Sequence, residues 1–333
     1  MALEKHILVT GGAGFIGSHA VRALVRRGYR VTVLDNLSKG HSGAVDPSAA
    51  FVEMDLADAA AVREFFAREK FDAVLHFAGL IEVGLSMSDP ARFFEGNVVC
   101  GVNLLEAMRS AGVKKIIFSS TAAVYGNPKV SPIREDAELS PSNFYGQSKL
   151  FFEGILRKYE FYGFRFAALR YFNAAGADPS GEIGQDYEPA THLIGRVLKY
   201  ALGKIKDFKI YGEDFPTEDG TCVRDYIHVN DLVDAHLLVL QYLFDGGASD
   251  VFNLGNGKGY SVKEVVETAR NVTGMPLKVE VGPRREGDPA FLVADSSKAK
   301  KSLGWEPKLF RIEDIVGTAW KWHQSHPNGY EGN

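Results

Sequence analysis

Apolar runs of four or five residues recur through the first half of the chain, at 6–10, 31–34, 73–76, 116–119 and 166–169. Each is short and apolar at most positions, as a strand of a parallel sheet is. Between them, at 15–27, 59–69 and 97–110, apolar residues return every three or four positions, which predicts helices with one buried face. Gly28 stands just past the first of these, where helices commonly stop. Short strands alternating with amphipathic helices predict βαβ units on a parallel sheet.

After Asn173 the pattern changes. Residues 173–189 are rich in Gly, Pro, Asp and Ala without periodicity and read as a long loop, a kind of segment that commonly carries function. Residues 225–244 and 251–254 read as a helix and a strand returning to the main sheet, and 261–273 and 312–323 as helices of a smaller unit. The expected fold is α/β: a Rossmann-type doubly wound parallel sheet from 1–172 plus 225–255, with a smaller mixed α/β domain from 173–224 plus 256–333. A ligand cleft is expected where the two meet.

Charge narrows the partners. A net charge of −4 points away from nucleic acid and from anionic membrane, so an anionic ligand has to be held by a few placed arginines. Two cysteines, Cys100 and Cys222, are too few for a disulfide framework or a cysteine zinc site, and no histidine pair has HExxH spacing, so no metal is expected. Neither a signal-like segment nor a long apolar span is visible, so the expected location is the cytoplasm.

The chemistry begins at the first strand–helix junction. Gly11, Gly12, Gly14, Phe15, Ile16 and Gly17 follow the strand and open the helix. Gly11 permits a tight turn, Gly14 lets backbone approach a pyrophosphate, and Gly17 allows close helix–strand packing, with free N–H groups facing the phosphates. Asp35 ends the next strand at the expected interval. A carboxylate there accepts from a ribose 2′-hydroxyl and repels a 2′-phosphate, and Asn36, Leu37 and Ser38 after it bring no arginine. NAD is therefore expected over NADP. Asp55 and Leu56, and Phe77, Ala78, Gly79 and Leu80, leave later strands at the same edge and can line the adenine and the nicotinamide ribose.

Further on, Tyr145 and Lys149 lie four apart at the start of a predicted helix, on one face and one turn apart. A free phenol ionises near pH 10, too high for a base at neutral pH. A nearby ammonium, with the positive nicotinamide of NAD, favours the phenolate. Lys149 can also hold the nicotinamide ribose, and Thr121, just past the strand at 116–119, can share a substrate hydroxyl proton with Tyr145.

With these features in place, the chain resembles the extended short-chain dehydrogenases/reductases, and within them the UDP-glucose 4-epimerase family along nearly its whole length. The longer strings that carry the resemblance are HFAGL at 76–80, RYFN at 170–173, PTEDGTCVRDYIHV at 216–229 and RREGD at 284–288. The resemblance implies Tyr145 as acid and base, Lys149 as its tuning partner, and Thr121 in a place held by Ser or Thr. It implies Phe172 beside NAD, Asn173, Arg224 and Arg285 on the UDP diphosphate, and Asp288 on the uridine ribose. Backbone of Lys209, Ile210 and Tyr211 falls near the uracil, with Tyr226 and His192 on the substrate side. Leu292 stands where the family places a pocket wall beside the sugar 2′-substituent; being of middle size, it implies UDP-glucose/galactose as the better pair. The family habit also implies a homodimer packed through the helices at 97–110 and 144–162. The chain departs from many relatives at Ile81, where they carry lysine, at Gly96, where they carry asparagine, and at His192, also usually asparagine.

The activity so implied is NAD-dependent epimerisation at C4 of a UDP-hexose through a 4-keto form. UDP-N-acetylhexosamines and UDP-pentoses share the same anchor. Nucleotide-sugar 4,6-dehydratases begin with the same step, but need acidic residues just after the Thr121 position, where this chain has Ala122 and Ala123. A non-catalytic NAD-binding module is disfavoured by the intact Tyr145, Lys149 and UDP-contacting set.

Overall fold

The computed structural model describes residues 5–285 and 288–330. Six strands arise from the first half of the chain: β1 (His6–Thr10), β2 (Arg30–Asp35), β3 (Ala50–Glu53), β4 (Ala73–His76), β5 (Lys115–Thr121) and β6 (Arg165–Tyr171). Three follow in the middle, β7 (Asn173–Ala175), β8 (Lys209–Tyr211) and β9 (Val223–His228), and then β10 (Asp250–Leu254). The last are β11 (Gly259–Ser261), β12 (Glu280–Gly282) and β13 (Phe291–Leu292).

Seven of these form one parallel sheet in the order β10-β6-β5-β4-β1-β2-β3. Its winding reverses between β1 and β4, which opens a crevice at their C-terminal ends. Alternate residues of β1 face opposite layers. Ile7 and Val9 pack with helices Phe15–Arg26 and Val229–Phe244. Leu8 packs with Ala59–Arg68, Cys100–Ser110 and Phe144–Tyr159. Both faces are covered over the central strands β1 and β4, which are buried throughout, while the edge strand β3 stays largely exposed.

The remaining strands pair β11-β9-β13 with β7 also on β9, and β12 on β8. Beside them, helices Leu193–Ala201, Val262–Thr273 and Ile312–Ser325 close a second core around Ile194, Ile210, Tyr260, Val265 and Ile315.

Three readings of the sequence need correction. Residues 225–244 are not helical throughout: β9 runs to His228, and the helix starts at Val229. Its cap is His228, whose Nδ1 accepts from the Asn230 N–H at 3.1 Å, and histidine is not among the residues that announce a helix start. Residues 173–189 open with the strand β7 before the chain becomes irregular. The predicted helix at 97–110 begins with a π turn, Glu95–Val99, and becomes regular at Cys100. Among the described residues no helix is long and apolar enough to cross a membrane, and Cys100 and Cys222 are buried free thiols.

Candidate active site

The glycine turn lies at the sheet's reversal. Gly11 adopts φ +72°, and a Cβ there would stand 2.4 Å from the Ala78 backbone nitrogen; one on Gly17 would stand 2.1 Å from the Gly11 carbonyl. No larger residue fits either place, and the turn is left as a cradle of backbone. The Phe77 and Ala78 N–H groups donate to the Thr10 carbonyl at 2.9 and 3.0 Å, tying the exit of β4 to that of β1.

Asp35 is buried at the end of β2. Its carboxylate accepts from the Ala13 N–H at 3.0 Å and the Leu37 N–H at 2.9 Å, each oxygen keeping a lone pair for a further donor. Burial pushes its pKa up, and the backbone donors pull it back. Leu37 is the only non-glycine with positive φ among the described residues, at 55°. Such a conformation costs about 1–3 kcal/mol and clusters at ligand sites. Asn36 donates to Asp55 at 2.9 Å and Ser38 turns back on Asn36, so the ends of β2 and β3 meet, with Leu56 buried behind them.

Tyr145 and Lys149 share the helix Phe144–Tyr159, whose N-cap Asn143 accepts from the Gly146 N–H at 2.8 Å. The Lys149 ammonium lies 6.0 Å from the Tyr145 ring centre and 5.0 Å from that of Phe118. Lys149 is 2% exposed, and no hydrogen bond or ion pair holds its ammonium among the described residues. Burial brings its pKa down to about 8. Burial also pushes Tyr145 up, while a hydrogen bond with Thr121 pulls it down. The expected low phenol pKa is therefore not a property of the chain alone: no cation is close enough to offset desolvation. A buried amine awaiting acceptors, a backbone cradle and the Asp35 carboxylate together fit a dinucleotide with free ribose hydroxyls.

Thr121 ends β5, and its hydroxyl accepts from the Ala123 N–H at 3.1 Å. Phe172 is buried just past β6, in one cluster with Ala122 and Tyr125.

Several side chains around this site escaped the sequence reading. Asn97, in the π turn, accepts from the Leu80 N–H at 2.7 Å and donates to the Leu80 carbonyl and the Ser148 hydroxyl, both at 3.0 Å. Ser148 in turn donates to the Tyr145 carbonyl at 2.7 Å. One asparagine thus joins the exit of β4 to the first turn of the Tyr145 helix. Behind it, Arg170 pairs in bidentate fashion with Glu153 (2.9 and 2.6 Å) and donates to Tyr125 at 2.9 Å. Ser120 also bonds Glu153, so that helix is fastened to β5 and β6. The available signal was polar residues at positions where the helical period demands apolar ones.

The second cluster lies on the smaller unit. A cavity of about 540 Å³ is lined by Asn127, Pro128, Arg284, Arg285, Asp288, Pro289 and Ala290. Arg285 is exposed, its guanidinium 4.2 Å from the centre of the Tyr211 ring. Arg224 is held inward: it donates to Asp288 at 2.6 Å and to the Val223 and Pro289 carbonyls at 2.9 and 2.8 Å. Glu286 and Gly287 of the RREGD string lie outside the described residues. Asn173 donates to the Asp225 carbonyl at 2.9 Å. Lys209 pairs with Glu280 at 2.8 Å, and Ile210 is buried between its neighbours in β8.

Not every expected residue opens on the cavity. Tyr226 is 5% exposed and packs in the core of the smaller unit. His192 is exposed at the N-cap position of the helix Leu193–Ala201 without a side-chain capping bond, its ring centre 6.1 Å from that of Tyr187. Leu292, half-buried on β13, packs against the cluster holding Ala122 and Phe172, which places it beside the Thr121 turn.

The sequence profile described as the NAD dependent epimerase/dehydratase family matches residues 7–255. A UDP-glucose 4-epimerase of Lactobacillus helveticus is 50% identical over 328 residues, covering 98% of this chain and 99% of its own. A crystal structure of a UDP-glucose 4-epimerase superposes with TM-score 0.96 at 50% identity, covering 98% of this chain and all of that one. The Bifidobacterium longum UDP-glucose 4-epimerase in complex with NAD+ and UDP does so with TM-score 0.93 at 40% identity, covering 98% of this chain and all of its own. With this likeness running the full length of both units, the chain belongs to the NAD-dependent epimerase/dehydratase family, among the UDP-glucose 4-epimerases.

Proposed function

We infer that this protein inverts the configuration at C4 of a UDP-hexose, UDP-glucose and UDP-galactose being its better pair, with NAD as resident cofactor. The observation that carries the reading is the half-buried Tyr145 beside the buried Thr121, with the unpartnered, buried Lys149 ammonium one helical turn on, next to Gly79 at the exit of β4. The glycine turn, Asp35 and Lys149 would hold NAD, which would supply the hydride acceptor and donor for sugar C4 on opposite faces of a 4-keto form. Tyr145 takes the proton from the 4-hydroxyl and gives it back, with Thr121 sharing that proton. Lys149 holds ribose hydroxyls and turns the local field toward the phenolate. Asp35 holds the adenosine ribose.

At the other end Arg285, Asn173 and Arg224 take the diphosphate, Asp288 the uridine ribose, and the backbone of β8 the uracil. Tyr226 and His192 shape the substrate side. Forked guanidinium bonds grip the nucleotide firmly, while the hexose meets few polar groups and is free to turn over. Elimination lacks its acid, because Ala122 and Ala123 form the turn after Thr121.

The copies pair through an apolar face: Phe144, Phe151 and Val99 are 37%, 50% and 52% exposed, and Phe94 lies 5.6 Å from the Phe151 ring. Light scattering should give twice the chain mass. For the activity, the purified protein is incubated with UDP-galactose and separately with UDP-N-acetylgalactosamine, and the products are identified by NMR. UDP-glucose should form without NADH accumulating in solution; no product, or net NADH, overturns the reading.

A further inference from the structure

Asp225 stands on β9 between Arg224 and Tyr226, and in a strand its side chain leaves the opposite face from theirs. It is wholly buried, at 0% exposed. One carboxylate oxygen accepts from the Asn256 N–H at 2.8 Å; the other accepts from the Gly257 N–H at 2.9 Å and the Ala294 N–H at 3.1 Å. Three donors shared in this way need two acceptor oxygens, which a carboxylate has and an amide lacks. Burial pushes the acid's pKa up to about 6, against the pull of the three N–H groups.

The donors come from different parts of the fold. Asn256 and Gly257 follow β10, the edge strand of the main sheet. Gly255 passes so close that a Cβ there would stand 2.5 Å from the carboxylate. Ala294 follows β13, which pairs with β9 in the register Leu292 to Arg224. The acid therefore fastens the strand of Arg224 to the main sheet on one side and to the stretch 288–294 on the other. That stretch begins with Asp288, the ion-pair partner of Arg224 at 2.6 Å. On the backbone side, the Asp225 carbonyl accepts from the Asn173 side chain at 2.9 Å. Asn173, Arg224 and the segment bearing Asp288 and Leu292 all converge on residue 225.

We propose that Asp225 is a positioning residue for the sugar nucleotide: wholly buried, it reaches no ligand, but it holds Asn173, Arg224 and the Asp288 segment in the arrangement that grips a nucleoside diphosphate. The proposal rests on the UDP site inferred above and adds to it a residue behind that site. Burying a carboxylate without a cation costs the fold, and here the return is a fixed backbone beneath long side chains. A second buried acid supplies the contrast. Asp231, 2% exposed in the first turn of the helix Val229–Phe244, accepts from the Lys308 and Leu309 N–H groups at 2.9 and 2.8 Å. Its chemistry is the same, but it fastens a segment that carries none of the sugar-nucleotide residues.

The test uses the full-length protein with its NAD. Asp225→Asn keeps the size of the side chain, leaves one acceptor oxygen and turns an NH2 group against a backbone donor. UDP affinity by calorimetry should fall, and KM for UDP-galactose rise, about tenfold, with kcat within about twofold, as coupling between a buried joint and a binding site requires. NAD content should not change. Asp231→Asn should lower Tm and leave UDP affinity alone. Unchanged UDP affinity in Asp225→Asn, or an equal loss in both variants, overturns the proposal. Should Asp225→Asn not fold, the wild-type protein gives a second reading, because coupling is reciprocal. UDP should slow hydrogen exchange at Asn256, Gly257 and Ala294 about tenfold and leave Lys308 and Leu309 unchanged. Equal slowing at both places, or none, overturns the proposal as well. Failure of the wild-type protein to bind UDP would instead remove the reading beneath it.

Discussion

The two ends of the active cleft are built from different materials. The end proposed for the dinucleotide is backbone: the turn through Gly11 and Gly17, and an Asp35 itself held by two backbone N–H groups. The end proposed for the sugar nucleotide is lined by long side chains. Arg285 is exposed over Tyr211, Arg224 is folded onto Asp288, and Lys209 pairs in solvent with Glu280. Backbone donors are ordered before the ligand arrives, whereas each flexible side chain loses about 0.5–1.5 kcal/mol of freedom when it is fixed. The first construction suits a ligand that stays; the second suits one that arrives and leaves at every turnover.

The sharpest probe of this division acts where the ends meet. Tyr145→Phe should keep its fold and its NAD while activity falls by about 10²–10⁴, the usual worth of a positioned acid–base group. Near wild-type turnover would take the proton transfer away from Tyr145.

Next in size is a gain. Lys149 has a pKa of about 8 in the folded, cofactor-free chain, below its ordinary 10.5. Between those values the unfolded chain holds a proton that the folded chain has released, so stability rises with pH across that window. Below about pH 8 both forms are charged and burial costs the fold about 3 kcal/mol. Cofactor-free Lys149→Met should therefore be more stable at pH 7 by up to that amount in urea unfolding, and should lose the rise above pH 8, while being inactive. A less stable variant would show that the ammonium supports the fold and is not reserved for a ligand.

A smaller effect is expected at the exposed end. Arg285→Ala should weaken UDP binding by about 2 kcal/mol, the worth of a hydrogen bond to a charged group, and leave NAD content alone. Calorimetry showing unchanged UDP affinity would remove Arg285 from the site. Smallest is the sugar wall. Leu292→Ser should move the kcat/KM ratio toward the N-acetylated sugar by about tenfold, within the ~1–3 kcal/mol that such contacts discriminate. An unmoved ratio would mean that Leu292 only packs against Ala122 and Phe172.

What the sequence made legible follows the same division. The glycine turn, Asp35 and the Tyr145/Lys149 pair are local patterns, complete within one strand–turn–helix or one helical turn, so spacing alone locates them. The Asn97 clamp joins residues 17 and 51 positions away, and the Glu153–Arg170 pair spans 17. Such contacts depend on tertiary packing and leave only a polar residue at an apolar place. The segment 173–189 reads as an irregular stretch, but its path along the helix Phe15–Arg26 is set by Arg22 and Arg26, whose partners Glu182 and Asp178 lie more than 150 positions later. Tyr226 is marked by the family string alone, and its ring packs in the core of the smaller unit.

The order in which the sheet is assembled has a consequence for the protein's synthesis. β10 pairs only with β6 in the main sheet, yet it leaves the ribosome roughly eighty residues after it. At about 5–20 residues per second, the nascent chain carries β6 as an open parallel edge for about 4–16 s. An uncovered apolar edge is a template for pairing with another chain. Chains ended at residue 247 should therefore aggregate where the full-length protein does not, as sedimentation after translation in a cell-free system would reveal. Slower codons between residues 172 and 250 should lengthen that window and lower the soluble yield.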